Sequence, residues 1–411
     1  MSIKTPLSVS GRFIVDACGN RVKLCGVNWA GAHQDDMTPG GLDYRHRDQI
    51  ATQIAAWGFN SVRFPFALAT VTGTTPVPAG LIAANSDLYG CTPWQVYQAC
   101  VRALTRAGLM VIPNCHLLHQ GWCCSDSDGN GLWWNSNWPS ARFTSDWITV
   151  ARAFAGEPLV VGYDLKNEPR TATIGGRAYK PSWGDGNAST DFRQLYSATA
   201  ARIQAVDSTA LFFCEGLSYA ADLTAAGSHP VTPGKDGCVV YSMHDYSWFH
   251  PAGQQQAGYI SSMDAKGGYL LTGGKAPVWV GEFGTGNDTP AAAGAGTAHG
   301  TSSPGDWNLG SWFANFLAWV KLRDADWCLW LLDGTMRKST TPQANTLRFT
   351  DGDRSGYGLF AQDWTGVSSP ALLHALQSIM PATLGPGTSA ARQAESITVG
   401  PGGGASGSGS Q

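Results

Sequence analysis

The feature that most constrains the fold is an alternation of two kinds of segment along nearly the whole chain. Short apolar runs typical of strands span residues 22–27, 61–64, 110–114, 160–166, 211–214, 239–244, 278–281 and 327–331. Amphipathic segments typical of helices lie between them, at 44–57, 94–107, 143–154, 191–206, 311–322 and 370–379. Strands that alternate with helices predict parallel β/α units, and eight of them predict a single (β/α)8 TIM barrel, an α/β fold.

An open doubly wound sheet would show the same alternation. It would also carry a glycine-rich phosphate loop after a strand, and none follows any candidate strand. The barrel is therefore the preferred fold, and no cofactor is expected. Residues 7–24 alternate apolar runs with Ser-Gly and Cys-Gly-Asn turns, which predicts an N-terminal β-hairpin before the barrel. Long βα loops are expected at 73–87, 171–187, 287–306 and 337–355.

The composition changes near residue 384. Residues 1–383 form the predicted catalytic barrel, whereas 384–411 consist mostly of Gly, Ser, Pro and Ala. Such a segment cannot bury a core, so we expect a disordered tail or a truncated linker there.

Charge and hydropathy exclude several classes of partner. The net charge is −3, and the 27 Lys and Arg residues form no basic block, so neither nucleic acid nor an anionic membrane is an expected partner. No apolar stretch approaches the ~20 residues of a membrane span. A soluble monomer is expected.

Tryptophan is unusually frequent, with 17 copies, and many lie in Gly- or Asn-rich stretches. Large residues that pack beneath long loops would explain any one of them. A flat aromatic face also matches the apolar face of a pyranose ring, so together they favour a sugar ligand. Trp29 is one candidate sugar-binding residue.

The ten cysteines lie partly in loops and partly in strand-like runs. The loop cysteines are Cys18, Cys91, Cys123 and Cys124. No spacing typical of zinc ligands is present. The even count favours disulfides and a secreted protein, with at least one bridge among the loop cysteines, although buried thiols in an intracellular protein stay possible. The first residues contain no apolar segment, so no signal peptide is visible in this chain.

Two glutamates each stand at the end of a strand-like run. Glu168 follows Val-Val-Gly-Tyr-Asp-Leu-Lys-Asn and precedes a proline, and Glu282 follows Val-Trp-Val-Gly. The carboxyl ends of barrel strands share one mouth, so the two side chains could converge there. Glycosidic bond hydrolysis requires two such carboxyl groups. The alternative is that both are exposed residues at the starts of loops.

The sequences Asn167-Glu168-Pro169 and Gly281-Glu282-Phe283-Gly284 resemble the two signatures of glycoside hydrolase family 5, the cellulase-like family. Further positions match the family pattern in the correct order over about residues 7–382. They are Arg63 after strand two, His116 after strand three, His244 and Tyr246 after strand six, and Trp330 at strand eight. The stretch Gly-Trp-Cys-Cys-Ser-Asp-Ser-Asp-Gly-Asn-Gly resembles the third loop of plant-type members.

The resemblance implies a retaining enzyme with Glu282 as nucleophile and Glu168 as acid/base. Arg63 and Tyr246 would hold the Glu282 anion, Asn167 would bind the sugar 2-hydroxyl, His116 and His244 would contact sugar hydroxyls and the acid/base, and Trp330 would be a sugar platform. Two positions depart from the family pattern. Asn114 stands where an Asp is common, and Lys166 stands where His or an apolar residue is common, which leaves the substrate open.

Other motifs are less specific. Asp126-Ser-Asp128-Gly-Asn130-Gly131 begins like a calcium loop, but its twelfth position is Asn137 instead of Glu, so a polar turn is expected. His116, His119 and His244 lack the spacing of metal ligands, and no metal is expected. Glu215 ends the fifth strand and is expected to support the site from behind.

Endo-β-1,4-glucanase activity on an oligo- or polysaccharide is the leading functional hypothesis. A β-mannanase, or a β-glycosidase acting on glycoconjugates, would use the same chemistry with different loops. A non-catalytic carbohydrate-binding barrel is the hypothesis from a different class, and the presence of both glutamates argues against it.

Overall fold

The computed structural model describes residues 3–251, 253–286, 312–336 and 355–381. Eight parallel strands close into one barrel, as the alternation predicts. In chain order they are β3 (Cys25–Asn28), β4 (Ser61–Ala67), β5 (Met110–Leu117), β6 (Gly162–Asp164), β9 (Leu211–Glu215), β10 (Val239–Asp245), β11 (Val278–Phe283) and β12 (Asp326–Leu329). Parallel strands covered on both faces read as continuous apolar runs, which explains why they stood out in the sequence.

Within the described residues, four three-residue strands lie outside the barrel. The expected N-terminal hairpin pairs β1 (Ser8–Ser10) with β2 (Phe13–Val15) in antiparallel register. A second hairpin, which the sequence did not reveal, pairs β7 (Ala172–Ile174) with β8 (Arg177–Tyr179) inside the long loop after β6.

Helices cover the barrel on its outer side. They are α1 (Arg47–Ala56), α2 (Leu68–Thr72), α3 (Pro93–Arg106), α4 (Ser140–Phe154), α5 (Phe192–Gln204), α6 (Gln256–Met263), α7 (Tyr269–Thr272), α8 (Trp312–Arg323) and α9 (Pro370–Gln377). The start of α3 shows how the sequence sets a boundary. Thr92 and Gln95 form a reciprocal capping box, and Pro93 fills the first turn, where no backbone donor is needed.

The barrel departs from eight regular units at its fifth connection. Residues 216–238 are all described, and they form turns instead of a helix between β9 and β10. The connection after β10 instead contains more than one helix, because a π-helical segment (Asp264–Gly268) joins α6 to α7.

Several sequence predictions fall beyond the described part of the chain. The loop expected at 287–306, most of the one at 337–355 and the tail at 384–411 lie outside the described residues. Within the described residues, no helix is long and apolar enough to cross a membrane.

Candidate active site

Six barrel strands deliver the polar residues that the sequence singled out to one place. Each of these side chains is at least nine-tenths buried. Arg63 lies on β4, His116 on β5, Asn167 and Glu168 just past β6, His244 on β10, Tyr246 directly after it, Glu282 on β11 and Trp330 directly after β12. The mouth of a barrel at its carboxyl strand ends is where barrel enzymes place their chemistry.

Glu282 projects from β11 between two glycines that the packing requires. A Cβ atom on Gly281 would lie 2.7 Å from Ser242 Oγ, and one on Gly284 would lie 2.5 Å from the Trp330 carbonyl oxygen. The register between β10 and β11 also shifts between Met243 and His244, which brings His244 opposite Glu282. Such irregularities commonly re-aim side chains at functional sites.

Arg63 is the centre of the buried charge network. It is fully buried, and each of its five N–H bonds finds an acceptor. The acceptors are Asp164 Oδ2 at 2.7 Å, Asn28 Oδ1 at 2.9 Å, Glu282 Oε1 at 2.5 Å, Asn167 Oδ1 at 2.7 Å and Glu215 Oε1 at 2.8 Å. Although burial opposes the charge, the three carboxylates raise the pKa of Arg63 well above its ordinary value. The guanidinium is therefore a fixed cation against which Glu282 is oriented.

A second donor fixes the other oxygen of Glu282. The Tyr246 hydroxyl donates to Glu282 Oε2 at 3.0 Å. Burial raises the pKa of Glu282, while the cations His244 and Arg63 act against that rise.

Glu168 is held through its backbone as much as through its side chain. Its φ is +46°, in the left-handed region that residues with a side chain rarely adopt. The Glu168 N–H donates to Glu215 Oε2 at 2.6 Å, and its carbonyl oxygen accepts from Arg170 Nη1 at 2.9 Å. Lys166 Nζ donates to the preceding carbonyl, that of Asn167, at 2.7 Å. These contacts stabilise a conformation that costs free energy by itself.

His244 lies among three glutamates. Its Nδ1 is 3.1 Å from Glu168 Oε1 and 3.6 Å from Glu282 Oε2, and its Nε2 is 3.5 Å from Glu215 Oε1. Burial favours the neutral ring, but Glu282 and Glu215 outweigh it and raise the pKa of His244 to about 10. The same contacts with His244 and Arg63 lower the pKa of Glu215 to about 2 against the effect of burial.

The carboxyl groups of Glu168 and Glu282 are close neighbours. One oxygen of each, together with a ring nitrogen of His244, lies within 4.8 Å of the others. The raised pKa of His244 favours the doubly protonated ring at neutral pH, in which both nitrogens are donors.

Stacked aromatic rings lie beside Glu282, since His116 Nδ1 is 4.0 Å from Glu282 Oε1. The rings of His116 and Trp330 are stacked with centroids 5.4 Å apart, and His33 packs against His116 at 4.2 Å. Burial lowers the pKa of His33 to about 3 and that of His116 well below its ordinary value. Asn114, in the position where the family often has Asp, contacts His116 Nδ1 at 2.9 Å through its Oδ1.

Trp29 does not lie at the sugar-binding surface where the sequence analysis expected it. Its side chain is fully buried, its indole nitrogen donates to the Gly40 carbonyl at 2.9 Å, and its ring stacks on Phe64 with centroids 5.2 Å apart. The residue belongs to the core beside β3 and β4 instead of the sugar-binding surface. The local sequence Gly26-Val27-Asn28-Trp29 does not show on which side of the strand end the ring lies.

Sequence reasoning missed three residues that organise the site. Asn28 and Asp164 bind Arg63, and Asn28 Nδ2 also donates to the Gly281 carbonyl at 3.0 Å. His33 completes the aromatic stack. A polar residue inside an otherwise apolar strand is the signal that could have found Asn28 and Asp164, because a buried polar group needs a partner. Glu215 takes the supporting position expected for it.

The third loop docks onto the segment that carries Glu168. Fully buried Arg170 donates to the Ser125 carbonyl at 3.2 Å and to Asp128 Oδ2 at 2.6 Å. The Asp128 carboxylate also accepts the backbone N–H groups of Ser125 at 3.0 Å and Asn130 at 2.8 Å. The calcium-like motif thus folds as a polar turn whose central carboxylate pairs with an arginine.

The sulfur atoms of Cys123 and Cys124 are in contact with each other beside this turn. They face the site, because Cys123 Sγ lies 3.7 Å from Glu168 Oε2 and 3.6 Å from Asn167 Nδ2. The other eight cysteines are free thiols, among them the exposed Cys18.

A barrel whose strand ends gather two glutamates, an arginine, histidines and stacked aromatic rings is the architecture of a carbohydrate-active enzyme. The family model of cellulase (glycosyl hydrolase family 5) matches residues 15–335. The chain belongs to this family and is a glycoside hydrolase.

Individual relatives agree with that assignment. An endoglucanase of Paenibacillus polymyxa is 30% identical over 302 residues, which cover 69% of this chain and 72% of that protein. The major extracellular endoglucanase of Xanthomonas campestris pv. campestris is 32% identical over 210 residues, which cover 51% of this chain but only 40% of that protein. A solved cellotetraose complex of an endocellulase from Pyrococcus horikoshii has the same fold, with a TM-score of 0.71, 23% identity, and coverage of 92% of this chain and 100% of that one.

Proposed function

We propose that the chain is a retaining endo-β-1,4-glucanase in which Glu282 is the nucleophile and Glu168 is the acid/base. The observation that carries the proposal is the approach of the two carboxyl groups, since one oxygen of Glu168 lies within 4.8 Å of one oxygen of Glu282. Retaining glycosidases separate the two carboxyl groups by about 5–5.5 Å, whereas inverting enzymes leave about 6.5–9.5 Å for a water molecule. The spacing therefore favours direct attack by a carboxylate.

In the first step, a Glu282 oxygen attacks the anomeric carbon while Glu168 gives its proton to the departing glycosidic oxygen. Arg63 and Tyr246 each donate to one oxygen of Glu282, so the attacking anion is oriented before substrate arrives. The fixed donors also stabilise the carboxylate without solvent rearrangement at the moment of reaction.

In the second step, Glu168 takes a proton from water, and the water oxygen displaces Glu282 from the sugar. Ester formation removes the negative charge of Glu282, which favours an ionised Glu168 as the base. His244 bridges the two sites because its Nδ1 reaches both carboxyl groups. Its positive charge stabilises the ionised Glu282 before the first step and the ionised Glu168 before the second.

The remaining site residues bind sugar in this proposal. Asn167 uses its Oδ1 for Arg63 and one amide hydrogen for Cys123 Sγ, which leaves the other amide hydrogen for the sugar 2-hydroxyl. If the proton of His116 is on Nδ1, toward Asn114, Nε2 is available to accept from a sugar hydroxyl. The stacked face of Trp330 and His116 provides a flat apolar surface for a pyranose ring.

The β-1,4-glucan substrate and the endo mode are supported by the names of the relatives, which include endoglucanases and an endocellulase bound to cellotetraose. Proton NMR during cellopentaose hydrolysis tests the chemistry, because a retaining enzyme releases the β-anomer before mutarotation. Viscosity of carboxymethyl cellulose that falls well ahead of the release of reducing ends would establish endo action.

Three results would overturn the proposal. The α-anomer as first product would mean inversion. Reducing ends released without early loss of viscosity would mean action from chain ends. Mannan or an aryl β-glycoside hydrolysed much faster than carboxymethyl cellulose or lichenan would change the substrate to that of a β-mannanase or a glycoconjugate β-glycosidase.

We also propose that the protein is secreted, acts as a monomer and carries a Cys123–Cys124 disulfide. Support comes from the extracellular Xanthomonas relative and from the contact between the two sulfur atoms. Light scattering should give a mass near 43.5 kDa. A stable dimer, or native protein found only inside cells of its source, would contradict this part of the proposal.

A further inference from the structure

The adjacent cysteines 123 and 124 occupy a position that the proposed mechanism leaves unexplained. Both are partly exposed, and they lie in the third loop, next to the segment that carries the acid/base. Arg170 joins the two segments rigidly, since it binds the carbonyl oxygens of both Ser125 and Glu168. A change in the cysteine pair is therefore transmitted to Glu168 and not absorbed by a loose loop.

The two oxygens of Glu168 have different neighbours. Oε1 faces His244 Nδ1 at 3.1 Å, whereas Oε2 faces Cys123 Sγ at 3.7 Å. Because His244 engages Oε1, Oε2 is the oxygen available to hold the proton that passes to the glycosidic oxygen. The chemical state of Cys123 therefore matters to the acid/base.

We propose that Cys123 and Cys124 are positioning residues for the acid/base, and that they perform this role as a disulfide. This inference rests on the proposed role of Glu168. In the disulfide, neither sulfur carries a hydrogen, so the pair presents a polarisable surface without a donor beside Oε2. Both sulfurs can accept from Asn167 Nδ2, at 3.6 Å for Cys123 and 3.9 Å for Cys124, which helps to orient that amide.

Reduction reverses this arrangement. A dithiol reductant attacks one sulfur as a thiolate and breaks the Cys123–Cys124 bond, and its second thiol then resolves the mixed disulfide. The products are two cysteine thiols, which have gained two electrons and two protons, and the oxidised cyclic form of the reductant. The Cys123 S–H can now donate to Oε2, where it competes with the proton transfer to the leaving group, and the separated sulfurs no longer hold Asn167 from fixed positions.

The test compares substrates that differ only in their need for a general acid. Wild-type enzyme is assayed before and after dithiothreitol treatment, with EDTA throughout, on phenyl β-cellobioside and 2,4-dinitrophenyl β-cellobioside. For each, kcat/KM reports the first step. Reduction should lower kcat/KM for the phenyl substrate about tenfold, a fraction of the 10²–10⁴ that general acid catalysis supplies, and leave the dinitrophenyl substrate within about twofold. A merely structural role would lower both values equally.

Variants and thiol counts complete the experiment. Alkylation of unreduced, denatured enzyme should modify the eight free cysteines, and reduction should add Cys123 and Cys124. The double variant C123S/C124S should behave like reduced enzyme and ignore dithiothreitol. The control C18S, at an exposed free cysteine, should behave like wild type and keep its sensitivity to the reductant.

Several outcomes would overturn the inference. One is alkylation of all ten cysteines without reductant. Another is an unchanged ratio of the two kcat/KM values in enzyme whose pair is shown to be open. Reduced enzyme that loses activity only when EDTA is omitted would mean that the pair binds a cation. Failure to cleave either substrate would instead overturn the proposed function, and this role with it.

Discussion

The two glutamates of the site have contrasting surroundings. Glu282 lies within a regular strand, and strong donors hold both of its oxygens, the guanidinium of Arg63 at 2.5 Å and the hydroxyl of Tyr246 at 3.0 Å. Glu168 lies beyond the end of its strand with a φ of +46°, and its side chain contacts a histidine and a cysteine sulfur. This contrast agrees with the proposed roles, because fixed donors suit a group that stays ionised and weaker contacts suit one that changes protonation in every cycle.

The residues that support the two glutamates also differ. Arg63 binds Glu282 and also binds Asp164 and Glu215, so Glu282 shares its support with the barrel core. The backbone of Glu168 is supported by Arg170 and Glu215, and Arg170 in turn ties down the third loop. Glu168 is therefore the glutamate whose supporting residues also contact a loop.

The largest expected effect is on the nucleophile. Glu282→Gln should lower kcat by about 10⁶ on every substrate, as loss of the nucleophile does in other covalent enzymes, because no other carboxylate takes its position. Product release measured over days, with substrate binding followed by calorimetry, checks this. Retention of cellotetraose binding would show that the site is intact, and appreciable turnover of any β-glycoside would remove Glu282 from its proposed role.

A smaller and selective effect is expected for the acid/base. Glu168→Ala should cost on the order of 10²–10⁴ in kcat/KM with a poor leaving group and spare the first step with a dinitrophenyl leaving group. The second step still lacks its base, so a burst of aglycone should precede slow turnover.

Azide distinguishes the two positions. It attacks without a base, so it should accelerate Glu168→Ala and give a β-glycosyl azide. With Glu282→Ala it should give an α-azide or no rescue, because the anion then replaces the missing nucleophile on the opposite face. A β-azide from Glu282→Ala would exchange the two roles.

The two arginines should differ in their contribution to stability. Arg63→Met leaves three buried carboxylates without their cation and should lower the free energy of unfolding by about 3–5 kcal/mol or prevent folding. Arg170→Met leaves one carboxylate, that of Asp128, which keeps two backbone donors, and two carbonyl oxygens without this donor, so we expect a loss of about 1–3 kcal/mol. Urea unfolding at pH 7 measures both. Equal losses would mean that Arg63 contributes no more to the free energy of unfolding than Arg170 does.

Local signals in the sequence were sufficient for the barrel strands and both glutamates. Each strand is a compact apolar run, and the Asn-Glu-Pro and Gly-Glu-Phe-Gly stretches mark strand ends by themselves. Features set by distant contacts were not predictable in this way. The burial of Trp29 depends on Gly40 and Phe64, and the contact of Cys123 with Glu168 joins residues 45 positions apart.

The smallest expected effect concerns the pKa values of the site histidines, which should be shifted in opposite directions. The carboxylates raise the pKa of His244 to about 10, whereas burial lowers the pKa of His33 to about 3 and lowers that of His116 as well. Nitrogen-15 NMR of the imidazole rings should therefore show His244 doubly protonated at pH 8 and the other two neutral at pH 5.

The effects of His244 and His33 on folding stability should also depend on pH with opposite signs. The contribution of His244 is fully present below the ordinary histidine pKa of about 6.5 and is lost as pH rises toward about 10, while His33 weakens the fold as pH falls below about 6.5. His33→Asn should thus lose less unfolding free energy than wild type between pH 7 and pH 4. A neutral His244 at pH 8 would mean that this ring places no positive charge beside Glu168 and Glu282.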